Sequence, residues 1–337
     1  MAVGFKWSIY LTREPRAERE LKKEYCEEGG RERRRRRRPQ VGAGAMSRKE
    51  AAVDEAEGGE GSSRSEGGGE LAETLARRRL YREVTLALRA GLRDAKAEFS
   101  FLRARGLRSL LGFLRSTASA PDESQLLLFR HSQSIPDLQV ITVLFQNSLH
   151  QAKKDPIVTL NHMFGVEPVK ITSPATDSEI ALALRVLEGC CLLYSRCTAL
   201  AHKYKAVKVL LNILASRGPT EQGVCLDALI SLMLDSPSNQ IEFEECSGLE
   251  KVAELLKDVQ VEEHIRLKCG EFLLLLIGHV YAKENTPIHE QMRNLLGEQC
   301  ASLVWAASRF GSTLDPEQRQ MALQIQARRV VESLEPY

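Results

Sequence analysis

The sequence predicts an all-α fold of the armadillo or HEAT kind, in which short helices stack side by side into an α-solenoid. Three observations favour this class. Apolar residues recur at helical spacing, alternating strand-like patterns are almost absent, and leucine fills most apolar positions while aromatic residues make up only 6% of the chain. A short helix with a wide apolar stripe cannot bury that stripe alone, so such helices must pack against neighbouring repeats.

Residues 1–69 are predicted to be a disordered leader. The stretch 1–45 is basic, with 13 Lys/Arg against 7 Asp/Glu, and contains the arginine run Arg33–Arg38. The stretch 46–69 is rich in Gly, Ser and Glu. Neither stretch holds enough apolar surface to offset the entropy lost on ordering. We therefore expect the helical domain to span residues 70–337.

The first half of this domain is predicted to be helical with few interruptions. Helical periodicity begins near Glu70 and continues to about Arg115. Further helices are expected in three segments and are followed by a loop; the helical segments are Ser124–Arg130, Pro136–Gln151 and Pro156–Phe164, and the loop is Gly165–Ala175. A second half then starts at Asp177 with a long apolar helix over Ile180–Tyr194.

Residues 221–280 carry the clearest pattern. An apolar helix over Gln222–Leu234 is followed by a turn over Asp235–Asn239, because a proline and short polar side chains favour turns and helix caps. A second helix is expected to start near Gly248, and a third to cover Ile265–Leu276.

A repeated apolar pattern supports the solenoid. The dipeptides Gly106-Leu107, Ala206-Val207 and Gly248-Leu249 are each followed by apolar residues on one helix face, at about +4, +7 and +8. The second and third copies are about 42 residues apart, which is typical of armadillo and HEAT repeats. An ordinary helical bundle with coincidental spacing is the alternative.

Composition argues against several other classes of protein. The eight cysteines show no zinc-type spacing, so we predict neither a metal site nor a cofactor, and a reduced intracellular environment. The longest apolar run, Phe272–Val280, is far shorter than the roughly 20 residues that span a bilayer. We expect no membrane span, and a cytoplasmic protein with the nucleus as a second compartment.

The segment Cys225–Leu276 resembles the cell division control protein 14 family, a component of the septation initiation network and distinct from the phosphatase of similar name. The resemblance rests on an Asp-x-Pro-x-Asn turn, a Phe-Glu-Glu, a Gly-Leu-Glu and a final Arg-Leu-Lys-x-x-Glu-Phe-Leu helix. These motifs begin here at Asp235, Phe243, Gly248 and Arg266. The similarity is strongest over residues 221–276.

The resemblance implies a non-catalytic, armadillo-like adaptor that binds a protein kinase of the sterile-20 class in cell-division signalling, with no small-molecule substrate. The polar members of these motifs and of the helix between them are the candidate partner-binding residues: Asp235, Asn239, Glu244, Glu245, Lys257, Arg266, Lys268 and Glu271. Taken singly, each also has an ordinary structural interpretation as a helix cap or an intrahelical ion pair.

The basic region 77–115 suggests a different function. A one-sided cluster of arginines there would bind nucleic acid, membrane lipid or an acidic partner. Interspersed acids such as Glu83, Asp94 and Glu98 favour an ordinary solvated helix surface instead. Nucleic-acid binding is therefore the weaker hypothesis, also for Arg33–Arg38, which has no interleaved aromatic residue for base stacking.

Two further motifs have alternative interpretations. Cys190 and Arg196 have the Cys-x5-Arg spacing of a phosphatase loop, but the residues between them lack glycine and indicate the middle of a helix. Ser134 lies in a segment that loosely resembles a phosphoserine docking site, so it is a candidate phosphorylation site. As the structural alternative, Ser134 caps a helix that begins with Pro136.

Overall fold

The computed structural model describes residues 66–120, 123–150, 173–281, 287–308 and 316–334. These ranges form helices joined by turns, with no strand among them, so the predicted all-α class is confirmed. The described residues from Arg82 onward lie within one compact unit. The predicted leader up to residue 65, the helix at 156–164 and most of the loop at 165–175 lie outside the described residues.

In chain order the helices are α1 (Glu66–Ala95), α2 (Ser100–Ser119), α3 (Ser124–Ser132), a 3-10 turn (Pro136–Leu138), α4 (Val140–Gln146), α5 (Asp177–Leu193), α6 (Arg196–Lys203), α7 (Ala206–Ser216), α8 (Pro219–Met233), α9 (Pro237–Glu245), α10 (Gly248–Lys257), α11 (Glu263–Leu275) with a π-helical extension (Leu276–Val280), α12 (Pro287–Leu296), α13 (Glu298–Ser308) and α14 (Pro316–Glu332).

Local chemistry explains several helix starts. Pro219 and Pro237 stand at the first positions of α8 and α9, where the missing backbone N–H leaves no helical hydrogen bond unmade. The Thr176 hydroxyl accepts a hydrogen bond from the backbone N–H of Glu179 at 3.4 Å, which caps α5.

The first half differs from the sequence expectation at three places. Helix α1 starts at Glu66, four residues before the expected boundary at Glu70. A turn after Ala95 interrupts the helical segment that was predicted to continue to Arg115, so the structure has two helices, α1 and α2, in this region. The segment predicted as helix up to Gln151 is a short 3-10 turn followed by α4, which ends at Gln146.

Four long helices, α2, α5, α8 and α11, pack side by side in chain order. They run in the same direction. Arg103 near the start of α2 binds Glu179 near the start of α5, and Leu114 further along α2 packs against Gly189 further along α5. Likewise, Arg217, just before α8, binds Asp177 at the start of α5.

Each long helix places at least one fully buried leucine between its neighbours, and these include Leu107, Leu184, Leu229 and Leu273. Such close-packed leucines give the ladder of long helices a continuous core. Stacking therefore buries apolar stripes that a single helix would leave exposed.

The second half repeats a three-helix unit. A long helix, a short helix and a medium helix follow one another as α5–α6–α7 and again as α8–α9–α10. Lys205 and Ser247 precede the last helix of each unit, and both have left-handed backbones, with φ of 55° and 53°. The copies at Ala206 and Gly248 are therefore structurally equivalent, which fits a helical solenoid; the assignment to the armadillo or HEAT type stays a prediction.

The first copy of the predicted repeat, at Gly106, is not equivalent to the other two. Gly106 lies inside α2, and a Cβ there would lie 2.4 Å from the backbone nitrogen of Ala95 in α1. Glycine is needed at this position because α1 and α2 approach closely. The apolar spacing at this copy marks a buried helix face, not the start of a repeated helix.

Candidate partner-binding surface

Four of the predicted partner-binding residues lie on the surface near α9 and α10. Asp235 is exposed in the turn before α9 and has a left-handed φ of 51°, while Glu244 and Glu245 are exposed at the end of α9. Lys257 is exposed at the end of α10 and donates a hydrogen bond to the carbonyl of Leu295 at 3.0 Å.

Asn239 lies in the interior and is fully buried. Its amide donates hydrogen bonds to the carbonyl oxygens of Leu232 at 2.9 Å and Thr198 at 3.2 Å, and its side-chain oxygen lies 3.2 Å from Nδ1 of His202. Asn239 therefore links α9 to α6 and α8, and its side chain contacts this chain instead of the solvent.

The three predicted residues on α11 form a second group. Arg266 is buried and donates a hydrogen bond from Nε to the carbonyl of Leu256 at 3.1 Å, so it joins α11 to α10. Lys268 is partly exposed, and its ammonium lies 2.9 Å from the carboxylates of both Glu271 and Asp227. Lys268 thus connects α11 to the neighbouring long helix α8.

This ion pair belongs to a larger arrangement. A band of charged side chains crosses the four long helices, and we call it the charged row: Arg115 on α2, Arg185 and Glu188 on α5, Asp227 on α8, and Lys268 and Glu271 on α11. Charged side chains held side by side on rigid helices make a surface suited to recognising a complementary protein segment.

Lys268 is the best-bonded cation of the row. Burial disfavours its charged form, but the carboxylates of Asp227 and Glu271 outweigh that effect and raise the pKa of Lys268 above its usual value. The lysine therefore stays protonated, and it holds the two acids in place.

Glu188 is the least satisfied acid of the row. It is only 6% exposed, and its one ion-pair contact among the described residues is with Nη1 of Arg185, at 3.9 Å. Burial, together with the negative charge of Asp227, raises the pKa of Glu188 to about 7. Near neutral pH this carboxyl is therefore divided between its neutral and charged forms.

A second set of buried polar groups fixes the first two long helices against each other. Arg103 on α2 donates from Nε to the Glu179 carboxylate on α5 at 2.7 Å, and Ser100 donates to the same carboxylate at 2.6 Å. Burial favours the neutral form of Glu179, but the hydrogen bonds from Arg103 and Ser100 outweigh it and lower the pKa of Glu179. This pair fixes the starts of α2 and α5 against each other.

The basic region 77–115 is not a single stripe. Arg103 is buried against Glu179 in the interior. Asp94 binds Arg105 at 2.8 Å and contacts Arg93 at 3.4 Å, and these arginines, Arg105 first, lower the pKa of Asp94. Three of the arginines predicted to form a nucleic-acid surface are thus engaged within the chain.

The phosphatase interpretation of Cys190 is wrong. Cys190 lies within α5, is fully buried, and burial raises the pKa of its thiol well above the usual value. Arg196 is exposed at the start of α6, beyond the end of α5. A phosphatase loop needs an accessible thiolate and backbone amides that surround an anion, and a thiol in mid-helix offers neither.

Ser134 is exposed, and its hydroxyl donates a hydrogen bond to the carbonyl of His131 at 2.6 Å. The alternative in which Ser134 caps the next helix is wrong, because Ile135 holds the position before the 3-10 turn. Exposure is compatible with phosphorylation, which stays a prediction.

Three members of the charged row escaped the sequence prediction, namely Arg185, Glu188 and Asp227, whereas Arg115 was included only in the basic region 77–115. A lone charge inside an apolar helix is the signal that marks two of them, since Glu188 follows Val-Leu and Asp227 follows Cys-Leu. An isolated acid in such a helix either has a buried partner or stands at a surface groove.

Metal sites, cavities and membrane spans were also considered in the described residues. Within those ranges no three His, Cys, Asp or Glu side chains lie close enough together to hold a metal ion. A cavity of about 270 Å³ lies beside α12 and α13, against Met292 and Trp305. None of the helices in the described ranges combines the length and hydropathy needed to cross a bilayer.

Comparisons with known proteins give one family. Residues 157–322 match the family described as cell division control protein 14, SIN component. No curated protein matches the chain. Among solved structures, a crystal structure of an engineered protein is 12% identical, with a TM-score of 0.42 over 74% of this chain and 98% of that chain. The family match spans both three-helix units and most of the charged row, so this part of the chain is similar to the cell division control protein 14 family.

Proposed function

We propose that this chain is a non-catalytic adaptor in cell-division signalling that binds another protein along the charged row, and that this partner is a protein kinase of the sterile-20 class. The family is a component of the septation initiation network, which supports a role in cell division. The family description names neither an adaptor role nor a kinase, so both are part of our proposal. The proposed sites of action are the cytoplasm and the nucleus.

The charged row is the observation that carries the proposal. It contributes three cations and three carboxylates from four successive long helices. Exposed members such as Arg115 and the 44% exposed side chain of Arg185 leave charge available to a partner. Complementary charges across an interface raise the association rate and select the partner, so such a row favours binding specificity.

The exposed residues near α9 and α10 are a secondary part of the proposal. Asp235, Glu244, Glu245 and Lys257 remain candidates for partner contact because their side chains face solvent. The buried residues Asn239, Arg266 and Glu271 are proposed to act indirectly, by positioning the helices.

The test is binding of a purified sterile-20-class kinase to the full chain. Reversing two exposed cations of the row, with Arg115→Glu and Arg185→Glu together, is expected to weaken binding about tenfold, or ~1.4 kcal/mol. The matched control reverses two exposed lysines outside the row, Lys203→Glu and Lys208→Glu, and carries the same change in net charge. Equal loss in both variants, or no kinase binding by the wild-type chain, would overturn the proposal.

A further inference from the structure

We propose that the exposed side of the hairpin formed by α1 and α2 binds an acidic amphipathic helix of another protein. We call this side the hairpin surface, and its members are Leu86, Ala90 and Arg93 on α1, and Phe101, Arg108 and Gly112 on α2. It is separate from the charged row, so the inference does not rest on the proposed function.

Contacts at two glycines show that α1 and α2 run antiparallel and close together. A Cβ on Gly91 would lie 2.8 Å from the side chain of Leu110, and a Cβ on Gly106 would lie 2.4 Å from the backbone nitrogen of Ala95. Residues that precede Gly91 on α1 therefore stand level with residues that follow Leu110 on α2. These two contacts fix the height of every residue on the hairpin.

An ion pair across the hairpin marks the side on which the surface lies. Arg105 on α2 binds the carboxylate of Asp94 on α1 at 2.8 Å. The members of the hairpin surface on α2 stand three, four or seven positions from Arg105, and Ala90 and Leu86 stand four and eight positions before Asp94. Residues at these spacings share one helix face, so both helices present exposed residues on the same side.

The exposed charges of the hairpin are mostly positive. From position 82 to position 119, seven Lys or Arg side chains are exposed against two exposed acids, Glu83 and Glu98. Helix α2 itself contains four arginines and no acid. Glu83 stands before Leu86 and Glu98 lies in the turn, so the exposed acids are outside the stretch between Leu86 and Arg93.

The middle of the hairpin surface keeps an excess of positive charge. Arg93 contacts the carboxylate of Asp94 at 3.4 Å and Arg105 binds it at 2.8 Å, so two guanidinium groups share one carboxylate. Their side chains stay 79% and 63% exposed, and Arg108 adds an exposed cation on the next turn of α2. A segment with Asp or Glu complements this charge, whereas a basic segment is repelled.

Exposed apolar side chains mark the two ends of the surface. Leu86 is 64% exposed, and Phe101 is 69% exposed and stacks on Phe99 with ring centroids 5.9 Å apart. Leu86 stands level with Arg115, which is fourteen positions from Phe101 on α2. At 1.5 Å per residue the two apolar ends are about 21 Å apart. Apolar side chains exposed beside polar ones are typical of protein-binding surfaces.

Small residues between the two ends leave room for the backbone of another helix. Ala90 is exposed, and a Cβ on Gly112 would have no atom within 4 Å. A helix that lies along the hairpin covers about 21 Å in about two heptads. The occupant therefore carries apolar residues about two heptads apart, with acids between them on the same face. A membrane-binding face would instead be continuously apolar, and arginines interrupt this one.

The experiment uses the full chain and a defined probe. The probe is a fluorescently labelled, alanine-based helical peptide with two leucines placed two heptads apart and three glutamates between them on the same face. One control peptide has glutamine in place of glutamate, and a second has the same composition with the leucines one heptad apart. We expect each control to bind about tenfold more weakly than the probe, as measured by fluorescence anisotropy.

Variants locate the site. Leu86→Ser and Phe101→Ser together remove both apolar ends and should weaken probe binding about tenfold, and Arg108→Glu should weaken it about fivefold by reversing one cation. Val259→Ser, which removes a 68% exposed apolar side chain after α10, and Arg329→Glu, which reverses an exposed arginine on α14, are the matched controls and should bind as the wild type does. Thermal unfolding checks that each variant is folded.

Several results would overturn the inference: equal binding of the probe and either control peptide, wild-type affinity in the double variant, or the same loss in Val259→Ser. Phosphatidylserine vesicles and a labelled oligouridine test the other occupants. If either binds more tightly than the probe and loses binding in Arg108→Glu, the surface belongs to lipid or RNA and the inference is refuted. Each of these failures leaves the adaptor proposal, which depends on the charged row, unaffected.

Discussion

Replacing Glu188 with glutamine is expected to stabilise the chain at neutral and alkaline pH. Burial raises the pKa of Glu188 from the ordinary 4.5 to about 7, so the folded chain holds this proton more tightly than the unfolded chain. Between these two values the wild type loses stability as pH rises, because ionising the buried carboxyl is unfavourable. At about 1.4 kcal/mol for each tenfold change, the full effect is about 3 kcal/mol.

Urea denaturation at several pH values, followed by circular dichroism, measures this effect. The free energy of unfolding of Glu188→Gln should exceed that of the wild type above about pH 7 by up to about 3 kcal/mol, less the cost of burying the amide. The difference should diminish as pH falls towards about 4.5, where both states of the wild type hold the proton. The exposed Glu254→Gln variant serves as the control and should follow the wild type throughout. Parallel pH curves for wild type and Glu188→Gln would refute the reasoning.

Three further outcomes are expected. Glu179→Gln leaves Arg103 buried without its counter-charge, and urea denaturation should show the free energy of unfolding lowered by about 3–5 kcal/mol. Because folding lowers the pKa of Glu179, this penalty should shrink as pH falls through the folded-state pKa. A penalty that stays constant with pH would contradict this expectation. Gly248→Ala places a Cβ 2.3 Å from the ring of Phe243 and should lower the free energy of unfolding by about 1–3 kcal/mol. Its control, Gly112→Ala, adds a Cβ in open space on α2 and should leave the free energy of unfolding unchanged or raise it by up to about 1 kcal/mol. Cys190 should react with iodoacetamide only in denaturant, and mass-spectrometric detection of its alkylation in the native chain would show the thiol to be accessible.

Helix positions in the second half were predictable because each helix carries its own apolar stripe. The helix expected at Gln222–Leu234 is α8, and that expected near Gly248 is α10, both within a few residues of their observed bounds. The copies at Ala206 and Gly248 also keep their equivalence in three dimensions. Such local patterns need no knowledge of which helices are neighbours.

The break between α1 and α2 could not be predicted in the same way. No proline or glycine stands between Ala95 and Ser100 to mark it. The turn is held by contacts distant in the sequence: Arg103 donates to the backbone carbonyl of Glu98 at 2.7 Å and to the side chain of Glu179. A helix boundary fixed by partners some 75 residues away is invisible to periodicity.

The candidate site was only partly predictable, for a related reason. Lys268 and Glu271 were found because they belong to one motif on one helix. Glu188 and Asp227 are 39 positions apart in the sequence, and only the parallel packing of α5 and α8 brings them to the same height. Sequence alone also does not tell an exposed motif residue from a buried one such as Asn239.

The parallel arrangement of the long helices also sets a length scale. Packed helices lie about 8–10 Å apart, so the three intervals from Arg115 on α2 to Glu271 on α11 span about 25–30 Å. An extended polypeptide advances about 3.3 Å per residue, and about eight or nine residues would therefore cross the whole row. A partner motif would have to present its charges roughly every third residue to meet successive helices, and inserting one residue between those charges would shift all later ones out of register.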